Sequence, residues 1–239
     1  ESGRLISGIQ PVTVEAEERI WGKHRDFRLF LSHKAEFKEE TGRLKERLKA
    51  FGVSCFVSHV DIHPTKEWQD EIVRALSSMD GFVALMTDKF HESEWTDQEV
   101  GFALAKCVPM IAVRLGRNPY GFIAKFQGLG TTWGESPLEI AKILIKHGRM
   151  FPAYIRALRS CPDWNTGNTL GEVLPCIENL TDSQLDNLVS AFNETEELRG
   201  SFAFNGKNPH FYGDGLLPHL NRLGNRKFAF SDSGLIINQ

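Results

Sequence analysis

The sequence predicts an α/β domain built on a parallel sheet, followed by a small α+β appendage. Short apolar runs alternate with helix-period stretches over residues 27–150, and the connections between them are short. After residue 150 that alternation stops.

Residues 1–26 mix charged and apolar positions and are punctuated by Pro11 and Gly22, so they read as an arm or linker with a short helix at Val14–Trp21. Phe27-Arg28-Leu29-Phe30-Leu31 is an apolar strand ending in the polar Ser32-His33-Lys34. Leu44, Leu48 and Phe51 recur at helical spacing, and Gly52 closes that helix. Val53–Val57 is the second strand. Beyond a loop from Ser58 to Pro64, Thr65 reads as an N-cap, and Trp68, Ile72, Ala75, Leu76 and Met79 form one apolar stripe. Gly81–Met86 is a buried-type strand, and a helix runs from Trp95 to Cys107. Val108–Val113 is a fourth strand, where Pro109 is tolerable only at the start or on an edge. A short strand near Lys125–Leu129 and a helix at Leu138–His147 complete the block.

This order gives βαβ units and a flavodoxin-like, five-stranded parallel sheet with helices on both faces. Such sheets bind ligands beyond the carboxyl ends of their strands, which selects the loops Ser32–Glu36, Ser58–Pro64 and Thr87–Glu94. In the appendage, Thr181-Asp182-Ser183-Gln184 has capping-box spacing ahead of Leu185, Leu188, Val189 and Phe192. Lys227–Phe230 and Leu235–Ile237 flank the turn Ser231–Gly234 and read as a hairpin. The expected organisation is therefore an arm (1–26), an α/β domain (27–150) and an α+β appendage (151–239).

Composition narrows the function classes. The net charge is −3, with +1 on residues 27–150 and −3 on residues 151–239, so neither block has the basic excess that direct nucleic-acid binding needs. No apolar run approaches the ~20 residues that span a bilayer, so no membrane partner is expected. No charged-then-apolar leader is visible from Glu1 onward. The cysteines Cys55, Cys107, Cys161 and Cys176 show no C-x-x-C spacing. Cys55 and Cys107 lie in apolar runs and read as reduced, buried hydrophobes, which favours a cytoplasmic setting. The eight histidines include no i, i+4 pair on a helix, so metal use is not expected. Gly128, Gly130 and Gly134 give a G-x-G-x-x-x-G spacing one residue longer than the dinucleotide fingerprint and late in the chain, which disfavours a redox cofactor site.

Three segments together resemble a TIR (Toll/interleukin-1 receptor) domain from about Phe27 to His147. The first is Phe27-Arg28-Leu29-Phe30-Leu31-Ser32-His33-Lys34, similar to the family's opening strand and Ser-containing loop. The second is Asp61-Ile62-His63-Pro64-Thr65-Lys66-Glu67-Trp68, and the third Ser93-Glu94-Trp95-Thr96-Asp97-Gln98-Glu99, which resembles the Ser-x-Trp-x-x-x-Glu signature. Thr65 stands where a glycine is common, and Thr96 where many relatives have Cys. The resemblance is strongest to bacterial members that cleave NAD and act in defence or cell-death signalling. It implies Glu99 as the catalytic residue, NAD as a substrate with no resident cofactor, self-association through TIR–TIR contacts, and an upstream sensor or ligand. Other members are non-enzymatic adaptors, and that alternative stays open.

On a helix, Trp95 and Glu99 are i and i+4 and share a face, continued by Phe102, with Val100, Ala103, Leu104 and Cys107 on the buried side. A single carboxylate suffices for NAD, because nicotinamide leaves as a neutral molecule and needs no proton donor, unlike an ordinary glycoside. One anion that supports the cationic ribose is enough. Ser32, His33 and Lys34 follow the first strand, where a diphosphate or ribose can approach, and Trp68 and Trp95 are candidate substrate contacts. The plainer alternatives are a dipole partner for Glu99, packing for the two tryptophans and a solvated turn for residues 32–34.

Overall fold

The computed structural model describes residues 11–23, 26–57 and 68–239, with Trp68 described by its backbone alone. The described residues fall into two compact units. One gathers those of Glu1–His24, Arg28–Gly42 and Ser54–Leu129, and the other those of Arg25–Phe27, Arg43–Val53 and Gly130–Gln239. The division expected near residue 150 follows the motifs; the compact units follow a different line.

The first helix, α1 (Val14–Trp21), starts where Thr13 Oγ1 accepts from Ala16 N at 3.3 Å and stops at Gly22. Its Trp21 is buried against Phe56, and the indole Nε1 donates to Ser78 Oγ at 2.8 Å. This part of the expected arm is thus an integral piece of the first unit. The strand β1 (Phe27–Ser32) leads to α2 (Lys38–Leu48), a 3-10 turn at Lys49–Phe51 and β2 (Val53–Phe56). Helix α3 (Trp68–Ser78), strand β3 (Gly81–Thr87), helix α4 (Thr96–Lys106) and strand β4 (Met110–Leu115) follow.

The sheet order is β2-β1-β3-β4-β5, where β5 is Leu129–Gly130. This five-stranded parallel sheet has the flavodoxin-like order. Leu29 pairs with Gly81 and Ser32 with Ala84, while Phe82 pairs with Met110 and Met86 with Arg114. All seven residues of β3 are buried, the signature of a central parallel strand covered on both faces. Phe30 stacks on Phe82 with centroids 5.6 Å apart and planes 11° apart, and Ile72 and Ala75 of α3, with Met79 just beyond it, pack into the same core.

Two expectations in this unit need correction. Pro109 lies just outside β4, and its carbonyl, the one hydrogen-bonding group of its backbone, accepts from Phe82 N at 3.0 Å. The strand expected near Lys125–Leu129 shrinks to Leu129–Gly130, preceded by a 3-10 turn at Gly121–Ile123. An isolated apolar run does not reveal which of its residues will find a neighbouring strand. Thr65 and the loop Ser58–Pro64 lie outside the described residues.

The second unit is mainly helical. Helix α5 (Ser136–Leu144) carries Pro137 in its first turn and is followed by α6 (Met150–Arg159) and α7 (Trp164–Gly171). Tyr154 is fully buried, and its hydroxyl donates to Leu170 O at 2.8 Å. The expected capping box is present at α8 (Asp182–Glu194): Gln184 N donates to Thr181 Oγ1 at 3.3 Å and Thr181 N to Gln184 Oε1 at 2.9 Å. Short helices α9 (Glu196–Gly200), α10 (Phe202–Asn205), α11 (Pro209–Tyr212) and α12 (Leu216–Leu223) precede the hairpin of β6 (Phe228–Phe230) and β7 (Ile236–Asn238). The hairpin is antiparallel, and Asn193 of α8 pins it by exchanging two 2.8 Å bonds with the Ile236 backbone.

Candidate active site

The site lies at the carboxyl ends of β1, β3 and β4. Pairing of β1 with β3 places Ser32 beside Ala84, and the chain then leaves β3 through a short 3-10 turn at Phe90–Glu92 into α4. Thr96 fixes the start of that helix: its Oγ1 donates to Phe90 O at 2.8 Å and reaches Ser93 O at 3.3 Å. The Thr at this position thus ties the third loop to the helix, a role the sequence did not reveal.

Glu99 lies in the first turn of α4, on its buried side with Thr96, Val100 and Ala103. It is 3% exposed, and Ser32 Oγ donates to its Oε2 at 2.5 Å. Burial pushes the Glu99 carboxyl up to about 7, and the Ser32 bond opposes that shift by favouring the charged form. This corrects the expected line of Trp95, Glu99 and Phe102 set apart from the buried side. Trp95 precedes the helix as its half-buried N-cap, and Phe102 packs partly buried against the core. Cys107 is corrected too: it is exposed and ends α4 in a left-handed conformation, while Cys55 is buried as expected.

Ser32 and His33 are both buried, so they do not form an open turn. His33 Nδ1 faces Leu31 O at 3.2 Å. Lys34 Nζ lies 3.3 Å from both Glu36 and Glu92. Desolvation lowers the Lys34 pKa, but the bonds to those two carboxylates outweigh it and leave it raised. The structure therefore brings Ser32 onto Glu99 and binds Lys34 to the neighbouring loop. The side chain of Trp68, the remaining candidate, lies outside the described residues, as does the rest of the second motif.

A fourth group was missed. The loop after β4 carries Arg117, whose guanidinium carbon sits 4.9 Å from the Tyr120 ring centroid. The Tyr120 hydroxyl donates to Asp97 at 2.5 Å, and His91 meets the same ring edge-on at 6.1 Å. Burial, with Asp97 as the second cause, drives the Tyr120 hydroxyl well above the usual phenol range. The strand-end rule applied to the fourth strand would have pointed to this loop.

The stretch 29–142 matches the family model described as a TIR domain. Residues 29–142 are a TIR domain. Ser32, Glu99, Asp97 and Tyr120 all belong to this TIR domain. A solved structure similar to the chain is the TIR domain of a Toll-related receptor from Hydra magnipapillata, at 16% identity and a TM-score of 0.39, over 48% of this chain and 90% of that one. No curated protein matches the sequence. Among the described residues, no helix is long and apolar enough to cross a membrane.

Proposed function

We propose that the TIR domain cleaves NAD between nicotinamide and ribose, with Glu99 as the catalytic carboxylate. The observation that carries this reading is the buried Glu99 carboxyl, raised to about 7 and bonded to Ser32 at the carboxyl edge of the sheet. A titratable group displaced in this way, at the place where α/β sheets bind ligands, is the expected mark of a functional carboxylate. The bond from the ribose C1′ to the pyridinium nitrogen breaks, and its electron pair neutralises nicotinamide. The ionised Glu99 stabilises the cationic ribose, an effect strengthened by exclusion of water. Water then bonds to C1′ and gives ADP-ribose, with its proton passing to the carboxylate. Attack by the adenine base instead gives a cyclised product.

Nicotinamide release by concentrated protein, followed across pH, tests this reading. Only the ionised carboxylate supports the cation, so the rate rises with pH through about 7. Ser32→Ala removes the bond that favours the charged form and moves the midpoint upward by about one unit, which slows release at neutral pH by up to roughly tenfold. Identical midpoints in the two proteins would contradict the role given to Glu99.

Self-association belongs to the same proposal. The rate is expected to rise faster than linearly with protein concentration. A strictly linear dependence in a protein that sediments as a monomer would rule this out.

A second reading is a TIR scaffold without turnover. Phe122 (81% exposed) and the exposed Phe126, in the loop before β5, favour it as apolar surface suited to protein contact. On that reading Glu99 is a buried polar group satisfied by Ser32. No nicotinamide release at any pH, in a form oligomerised by fusion, would decide for the scaffold.

A further inference from the structure

The second unit contains a pocket that NAD cleavage leaves unused. It is an open cleft of about 470 Å3, within the size range of small-molecule sites, lined by Asp163, Trp164, Glu196, Glu197, Gly200 and Phe202. Two of its walls are aromatic. The Trp164 and Phe202 rings meet at 67° with centroids 6.5 Å apart, so their planes form a corner, and Tyr212 supports Phe202 from 5.7 Å. Trp164 is 49% exposed, although an indole gains from burial.

The corner is held before any ligand arrives. Asn168 Oδ1 accepts from the Ser201 side chain, Oγ, at 2.8 Å and from the Ala203 backbone N at 3.0 Å, which ties down the residues on both sides of Phe202. Asp163 accepts from Thr166 N at 2.8 Å, caps α7 and thereby fixes Trp164. The Thr166 backbone bond holds the Asp163 carboxyl below its usual range. Asp163 is thus committed to the helix. Glu196 and Glu197 are not: among the described residues neither has a basic partner.

These walls select a ligand class. Three carboxylates repel a diphosphate, so the pocket does not suit NAD. They are also not placed to hold a metal, since no group of three metal-binding side chains converges among the described residues. Aromatic faces attract an alkylated cation through the ring quadrupole, and nearby carboxylates supply the counter-charge. We propose that this pocket binds a small organic cation, an alkylammonium whose charged head sits in the Trp164–Phe202 corner and pairs with Glu196 and Glu197. The fixed corner lowers the ordering cost of binding. A basic peptide is the competing occupant, but two aromatic faces favour a weakly hydrated alkylated ammonium over the strongly hydrated head of lysine.

Calorimetric titration of the full chain with choline tests the proposal without reference to NAD turnover. Saturable binding is expected below about 50 mM, the weak affinity a ligand this small can reach. The uncharged isostere 3,3-dimethylbutan-1-ol is expected to bind at least tenfold more weakly. Glu196→Gln/Glu197→Gln and Trp164→Ala should each lower choline affinity about tenfold or more. Gly200→Val provides a variant that keeps all the charges: a Cβ there meets nothing within 4 Å, so the side chain fills open space and is expected to block binding. Absence of saturable choline binding, equal binding of the neutral isostere, or unchanged affinity in the variants would overturn the proposal. Binding of a lysine-rich peptide in place of choline would overturn it as well, by making the pocket a protein-docking surface.

Discussion

Glu99→Gln is expected to reduce nicotinamide release by about 10²–10³-fold, the effect of removing a group that stabilises transition-state charge, while raising stability above pH 7. Gln keeps the shape and still accepts from Ser32 Oγ, but it cannot carry the charge. The gain in stability follows from linkage. The folded carboxyl ionises at about 7 and the ordinary carboxyl at 4.5. Between those values the folded protein holds a proton that the unfolded chain has released, so stability falls as pH rises. The deficit is complete above pH 7 and amounts to about 3 kcal/mol from the size of the shift. Below pH 4.5 both states are protonated, and the substitution is nearly neutral. Thermal melts at pH 4 and pH 8 should therefore separate the two proteins at pH 8 only. Equal differences at both values would mean that Glu99 is not held as a buried carboxyl, and unchanged turnover would remove it from the chemistry.

The second large effect is expected at Gly52. Gly52→Ala should destabilise the chain by about 3 kcal/mol or more, since two separate costs combine there. Gly52 has φ +77°, a left-handed conformation that is strained for any residue with a Cβ. An added Cβ would also fall 2.4 Å from Ala153 O and 2.8 Å from Ala153 C, backbone atoms of α6 that cannot rotate away. Gly22→Ala carries a backbone cost alone: its φ of +82° and ψ of 172° lie in a region almost only glycine occupies, and nothing lies within 4 Å, so about 1–3 kcal/mol applies. Urea denaturation of both variants measures the difference. A loss at Gly52 of no more than the about 1–2 kcal/mol of its left-handed backbone would show that the approach to Ala153 carries no energy.

The local elements were legible because they depend on residues within a few positions of one another. The helix at Val14–Trp21 lies between the punctuating Pro11 and Gly22, and the capping box follows from Thr181 and Gln184. The apolar runs became β1 to β4 with shifts of one or two residues at their ends. Helical spacing found Gly52 as a terminator but carried no sign of Ala153, a hundred residues away in sequence. The helix from Trp95 was also correct in outline. Its buried side differed, because i, i+4 spacing grouped Glu99 with Trp95 and Phe102, whereas the fold buries Glu99 beside Val100 and Ala103.

The sequence by itself determined the order of strands and helices, the strand ends where a site should lie, and Glu99 as its carboxylate candidate. Only the tertiary structure decided what that carboxylate is. Its burial comes from the packing of α4 against the sheet, and its hydrogen-bond partner is Ser32, 67 positions away. The same holds for Tyr120 with Asp97, and for the corner made by Trp164 and Phe202. A side chain's pKa and exposure depend on what the fold packs around it, and neighbours along the chain do not encode that environment.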